Sequence, residues 1–247
     1  AEAGYLSLTG EPDAVPSRAG LSIVDYMTGA TAALAMLAGV VSARQSGQGR
    51  DIDVSLYGVA VYNLTYLATW YLNGGVVTGR QPRSGHPSRV PCELYRTRDG
   101  WMFLMCNKEK FWTTLCHKIG RPEWTRDPRF ASFDARFVHR ADLAQALDEV
   151  LQQADTAHWL ALFAGQVPAA AVHDVAQALD SDFAREMGVV RDTAHPQGTI
   201  RTLASPISAG PTPAVAAPAL GQHTDELLRQ AGFTEAQIAK LCEMAVI

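Results

Sequence analysis

Cysteine is scarce in this sequence: four residues among 247, Cys92, Cys106, Cys116 and Cys242. They form neither the close pairs of a zinc site nor the density of a disulfide scaffold, so a reducing cytoplasm is the expected compartment. Charge of either sign is also not in excess, with 21 basic and 25 acidic residues spread along the chain and a formal net charge of -4. That balance gives no reason to expect a nucleic-acid face or an anionic membrane partner. The seven histidines do not gather at metal-ligand spacing, and no metal is expected. No secretory signal is expected from the residues present. The apolar run Met27 to Val41 is rich in Ala and Gly, is shorter than a membrane span, and is followed by Arg44 and Arg50, so it reads as a buried helix. No P-loop or dinucleotide fingerprint occurs, since Ser46-Gly47-Gln48-Gly49-Arg50 matches neither.

What is present is apolar material, 47% of the residues, enough for one full domain and a smaller second one. The first residues, Ala1 to Gly10, lack an initiator methionine and run straight into structured-looking sequence. This suggests a chain cleaved or split from something longer, although a trimmed start would look the same.

Leu21 to Asp25 reads as a short strand-like stub, and Met27, Ala30, Leu34, Leu37 and Val41 then recur at helix period. Gly47 is placed to stop that helix. Asp51 to Leu56 alternates polar and apolar residues as a half-wet strand does, and Tyr57 to Leu72 is again helical. Helix, strand and helix in this order predict an α/β layer. Residues 76–91, crowded with Gly and Pro, form a linker or an active-site loop.

Cys92 to Thr97, a turn at Arg98-Asp99-Gly100, and Trp101 to Met105 predict a β-hairpin. Helices are expected near 108–119, 140–153 and 156–164, the last capped by Asp155 or Thr156, with Trp101, Trp112, Trp124 and Trp159 making the core of this unit. Beyond Val189 the prolines at 196, 206, 211, 213 and 218 imply an extended crossing segment. Thr199 to Leu203 could add an edge strand, and helices His223 to Ala231 and Glu235 to Met244, with Thr234 as cap, close the chain.

Asp25 is the leading candidate for chemistry. A carboxylate where a long helix begins is held ionised by backbone amides and the helix dipole, and an accessible carboxylate is a competent nucleophile toward a thioester. The same residue type at the same place is also an ordinary helix cap. Arg44 and Arg50 flank the glycine turn and could meet a phosphate, although a plain helix stop explains the glycines. Ser84, Gly85 and His86 could form a lid over a site or a simple linker. Asp51 and Asp53 share one face of the expected strand, but a catalytic pair would require the right separation.

Several motifs in succession resemble the family III CoA-transferases of the CaiB/BaiF type. They are Tyr5 to Pro12, Gly20 to Asp25 with Gly29, Arg44 with Ser46 to Gly49, and Asp51 to Leu56. They continue through Arg98 to Gly100, Asp127 to Phe130, Gly165 to Pro168, Ser205 to Ile207 and Leu220 to Leu228. The resemblance implies part of a large α/β domain with a smaller inserted α+β domain and an interlaced dimer. On that plan residues 1–75 belong to the large domain, 76–91 to a linker or active-site loop, 92–187 to the small domain and 188–247 to a returning segment. It further implies that Asp25 attacks an acyl-CoA thioester, giving an aspartyl anhydride and then an aspartyl-CoA thioester. Coenzyme A would be a substrate rather than a resident cofactor, and the other reactant a free carboxylic acid. Against that family the chain lacks roughly the first 140 or more residues, about one domain's worth, so a complementary N-terminal fragment or subunit is the expected partner. The glycine-rich loop of formyl-CoA transferase is reduced here to Ser84-Gly85. A branch resembling α-methylacyl-CoA racemase, and a non-catalytic CoA-binding or partner subunit, remain alternatives.

Overall fold

The computed structural model describes residues 1–195, 198–207 and 215–247. The chain separates into two compact units, Ala1–Val172 and His173–Ile247. Pro196, Pro211 and Pro213, part of the expected crossing segment, lie outside the described residues.

After a short 3-10 turn at Tyr5–Ser7, the first unit forms helix α1, Ile23–Ser46, which ends where the sequence places its stop: Gly47 takes φ 71° and its N–H donates to the Ala43 carbonyl at 2.8 Å. Leu21 to Asp25 is not a strand, because the helix has already begun at Ile23. The segment before Leu56 does not form a strand either. A strand exists only as part of a hydrogen-bonded ladder, and no neighbour lies alongside these residues among those described. The expected second helix is two, α2 (Leu56–Tyr62) and α3 (Thr65–Gly74), with Ser55 capping the first by accepting from the Gly58 N–H.

None of the 24 residues of α1 is buried. Leu34 is 67% exposed, and Tyr26, Met36 and Leu37 are exposed beside it, as are Tyr62 and Leu72 on the next two helices. The helix also outruns the Met27–Val41 segment and is long and apolar enough to cross a membrane by length and composition, a test that the core helix of a soluble protein passes equally.

The hairpin forms as expected. Strands β1 (Cys92–Arg96) and β2 (Trp101–Met105) pair antiparallel with Tyr95 opposite Met102, and a third strand, β3 (Ala169–Ala171), adds to β2. Against this sheet pack α4 (Glu109–Lys118), α6 (Arg140–Leu151) and α7 (Thr156–Phe163), with the short α5 (Phe133–Val138) preceding α6. Trp112, Tyr95, Phe130, Leu147 and Phe163 fill the core between them. Trp101 does not join that core; it is 39% exposed and sits under the guanidinium groups of Arg83 and Arg96 at 5.8 and 5.1 Å.

The cap of α7 differs from the expected one. The Asp155 carboxylate makes no cap hydrogen bond; both its oxygens accept from Arg98 at 2.6 Å. Asp99, in the hairpin turn, takes over instead, accepting from the Thr156 N–H and hydroxyl at 2.8 Å each. These hydrogen bonds, that from the Thr156 amide foremost, hold the Asp99 carboxyl below its usual range.

The second unit holds α8 (Val175–Leu179) and α9 (Asp182–Met187), then a two-stranded antiparallel sheet of β4 (Val190–His195) and β5 (Gly198–Leu203). Helices α10 (Thr224–Gln230) and α11 (Glu235–Glu243) follow, the latter capped by Thr234 in a reciprocal box with Gln237.

A guanidinium lies wholly inside the first unit. Arg136 is fully buried, stacks on Trp112 and Phe133, and donates to the carbonyls of Val90 and Phe130 and to Glu109 at 2.8 to 2.9 Å. Arg136→Met is expected to lower stability by about 2–4 kcal/mol, because it strands two buried carbonyls. Arg136→Lys should recover little, since one ammonium cannot reach three divergent acceptors. Urea unfolding of the three proteins checks both statements.

Candidate active site

Asp25 occupies the third position of α1, where the first turn leaves backbone amides without intrahelical partners and the helix dipole favours a negative charge. It is not the cap. Ser22 holds that position, and its hydroxyl accepts no capping hydrogen bond. The Asp25 side chain is exposed, and no hydrogen bond or ion pair engages it among the described residues. An anionic oxygen that is neither capping nor paired is chemically available.

Arg44 and Arg50 lie at the other end of the same helix. Arg44 is in the last turn, and Arg50 donates to the Ser42 hydroxyl at 3.2 Å. Nineteen residues of helix separate Arg44 from Asp25, roughly 28 Å along the axis. The two arginines therefore do not converge with Asp25 on one reacting atom. Asp51 and Asp53 share no strand face, because that strand is absent.

The loop carrying Ser84, Gly85 and His86 is fastened from several sides. Arg80 donates to the carbonyls of Ala14 and Pro12 at 2.5 and 2.7 Å, and Glu11 accepts from the Arg83 N–H at 2.8 Å. The Arg83 guanidinium reaches the Leu94 carbonyl at 2.8 Å and Asp148 at 2.6 Å. Arg140, on α6, donates to Gln81 at 2.7 Å and to the His86 carbonyl at 2.5 Å.

Beneath this loop lies Glu93, a carboxylate with no exposed surface on the first hairpin strand. Its Oε1 accepts from the Tyr95 hydroxyl at 2.9 Å, while Oε2 stands 3.1 Å from Arg140 Nε. The latter pair is out of line for a hydrogen bond, so the contact is ionic. Burial pushes the Glu93 carboxyl up, and the Arg140 charge opposes that rise. Burial, with the adjacent Glu93, pushes the Tyr95 phenol well above its usual range. Gly85 rests directly on the ion pair: a Cβ there would meet Glu93 Oε2 at 2.8 Å and Arg140 Nη2 at 2.9 Å. Its φ of -76° is open to any residue, so glycine is required here for space alone.

His86 faces a groove. Its Nδ1 accepts from the Ser88 N–H at 3.1 Å, which leaves the ring proton on Nε2, 3.3 Å from the Tyr66 hydroxyl. The ring stacks on Tyr66 at 5.9 Å, and Tyr66 in turn meets Trp70 at 4.9 Å. Burial first, and then the nearby Arg89 and Arg140 charges, lower the His86 pKa below its ordinary 6.5. Among the described residues, no group of three or more His, Cys, Asp or Glu side chains is placed to hold a metal ion.

Glu93 and Arg140 were not among the candidates drawn from the sequence, while Arg89 ends the Ser84 to Arg89 loop that the family resemblance offers as a pocket wall. A lone carboxylate inside an apolar hairpin strand was the one available signal for Glu93, and nothing in the sequence connects it to Arg140 on a distant helix.

A family model described as CoA-transferase family III matches residues 1–224. The chain is 31% identical over 255 residues to a succinyl-CoA–D-citramalate CoA-transferase of Chloroflexus aurantiacus, covering 99% of this chain and 62% of that protein. It is 28% identical over 258 residues to the mouse succinyl-CoA:glutarate CoA-transferase, covering 100% of this chain and 58% of that protein. A CaiB/BaiF family protein from Brucella suis superimposes with a TM-score of 0.77 at 27% identity, over 93% of this chain and 60% of that one. A Mycobacterium tuberculosis protein gives 0.77 at 25% identity, over 91% and 60%. The chain thus has the α/β fold of these proteins, and it spans 58–62% of the length of the two curated relatives named above.

The lowered His86 pKa sets a sign for pH dependence. As pH falls, an unfolded histidine at the ordinary 6.5 takes up its proton before the folded one does. The unfolded state therefore binds more protons across that window, and stability drops from about pH 6.5 down through the folded value, then levels. His86→Gln should flatten this part of the curve. Paired NMR titration of the His86 ring and urea unfolding between pH 5 and 7.5 reads both.

Proposed function

Because the chain belongs to CoA-transferase family III, we propose that it carries the nucleophile of a CoA-transfer reaction and that Asp25 is that nucleophile. The observation that carries this reading is the exposed, unpartnered Asp25 carboxylate in the first turn of α1, the end of a helix whose dipole favours negative charge.

The chemistry follows from what such a carboxylate can do. An Asp25 oxygen attacks the thioester carbonyl carbon of an acyl-CoA; the C–O bond forms, the C–S bond breaks, and CoA leaves as thiolate. The product on the protein is a mixed anhydride. The thiolate then attacks the aspartyl carbonyl, forming an aspartyl-CoA thioester and releasing the first acid as its carboxylate. An acceptor carboxylate repeats the two steps in reverse order, leaves as its CoA thioester, and restores Asp25. No net proton is consumed, and no redox partner is needed.

The assembly around this chain is part of the same proposal. The exposed apolar surfaces of α1, α2 and α3 are too extensive for a free protein surface. We assign their cover to a complementary segment of the fold and to a second subunit in a dimer. On that assignment α1 is a core helix rather than a membrane span. Three of the four thiols are buried and all four are free, which suits a cytoplasmic enzyme. Coenzyme A enters as the thioester substrate.

Asp25→Asn is expected to lower acyl-CoA exchange in the assembled enzyme by about a thousandfold or more, as loss of a covalent nucleophile does. The urea midpoint should move little, because the side chain holds nothing. Retained exchange in that variant would sink the assignment, and deuterium exchange at the substrate α-carbon without CoA transfer would point to a racemase instead.

A further inference from the structure

The three-stranded sheet of the first unit has two unlike edges. One is β3, which at three residues is too short to offer another strand much to pair with. The other is β1, five residues long, and no further strand lies beside it among the described residues. The Thr97 N–H donates to the Gly100 carbonyl at 3.0 Å and the Cys106 N–H to the Pro91 carbonyl at 2.8 Å, so residues 91, 93, 95 and 97 bond toward β2. Cys92, Leu94 and Arg96 therefore turn their backbone groups outward, to the edge.

Two side chains and one loop amide occupy that edge in place of a strand. The His86 N–H donates to the Cys92 carbonyl at 2.9 Å, and Arg83 Nε donates to the Leu94 carbonyl at 2.8 Å. Asp148 Oδ1 accepts from the Arg96 N–H at 2.8 Å and also from Arg83 Nη2 at 2.6 Å, so the ion pair forms a bar across the edge. Donor, donor and acceptor thus fall on three successive outward residues, as those of a neighbouring strand would. The backbone that does this is strained: Arg83 and Ser84, neither a glycine, take φ 59° and 52°. Such values persist where the surroundings over-determine them. Arg83 is fixed by Glu11 at its N–H, by Leu94 and Asp148 at its guanidinium, and by the Tyr95 and Trp101 rings at 5.2 and 5.8 Å.

We propose that Arg83, Asp148 and the His86 amide form a surrogate edge strand, whose role is to keep β1 from pairing with the β1 strand of a second copy. An open strand edge is a template for extended chain, and the matching segment present at equal concentration is that of another copy. Two β1 strands pairing antiparallel about a two-fold axis set Leu94 opposite Leu94 and Cys92 opposite Arg96, so each edge satisfies the other. This role is separate from acyl transfer and stands whether or not Asp25 is the nucleophile.

The test compares wild type with the double variant Arg83→Met, Asp148→Ala in the assembled enzyme over a range of concentrations, by sedimentation velocity and amide hydrogen exchange. In dilute solution the Arg96 amide of the variant is expected to exchange about tenfold faster than in wild type, the effect of losing one charge-assisted hydrogen bond. As concentration rises, the variant should associate beyond the wild-type assembly and Arg96 should regain protection. The Cys106 amide, inside the ladder, should stay protected throughout. Association that leaves Arg96 exchanging fast uses another surface and overturns the proposal. So does a variant that keeps the wild-type assembly at every concentration, or one whose dilute Arg96 amide is no faster. Loss of Cys106 protection would mark an unfolded hairpin; Asp148→Ala alone, which frees Arg96 and leaves Arg83 in place, then decides by the same two readings. Adding Leu94→Pro removes an outward N–H and should abolish the association, and association that persists in it contradicts edge pairing.

Discussion

A buried charge must meet its opposite, and much of the described first unit is arranged around that requirement at Glu93. Taking its carboxylate out of water costs several kcal/mol unless a cation comes with it. Arg140 supplies that cation from α6 and, with its remaining donors, ties down Gln81 and the His86 carbonyl. The loop between the helical segment and the hairpin is therefore not free to wander. Its glycine sits where a methyl group would collide with the ion pair, and its histidine is turned into the groove. Arg83 fastens the same loop to Asp148, farther along α6.

The proposed nucleophile rests on the opposite condition, a charge left unmet. Asp25 stands in the first turn of a helix, where the dipole favours an anion, and no partner side chain engages it. An ion-paired carboxylate would have its lone pairs engaged, whereas this one keeps them for a carbonyl carbon. The apolar helices behind it are equally unmet, and their exposed Leu, Met, Tyr and Val side chains account for the expectation of a covering partner.

The sequence made some of this legible and hid the rest for physical reasons. Helix α1, its Gly47 stop, the DG hairpin and the Thr234 cap are local, so the residues that specify them are neighbours and could be read directly. The expected strand before Leu56 was a sound reading of alternation, but a strand needs a ladder partner, and none lies beside it here. β3 carries only alanines, which announce no strand, and it forms because the β2 edge was open to it. At α7 the capping role passed to Asp99 from a distant turn because Arg98 had claimed Asp155. The site divides in the same way. Asp25 could be singled out from its place at a helix start and from a family resemblance, while the Glu93–Arg140 latch and the His86 groove join segments far apart in sequence.

The central claim is that Asp25 forms an anhydride with each acid in turn, its own oxygen attacking the donor's thioester carbonyl and the acceptor's oxygen attacking the aspartyl-CoA carbonyl. Turnover in the assembled enzyme with an acceptor acid labelled with oxygen-18 in its carboxylate tests this most directly, read by mass spectrometry of the peptide containing Asp25. When the acceptor departs as its thioester, one of its oxygens stays behind, so the account expects oxygen-18 in the Asp25 side chain. Labelled acid converted to acyl-CoA with the Asp25 peptide unlabelled would contradict it.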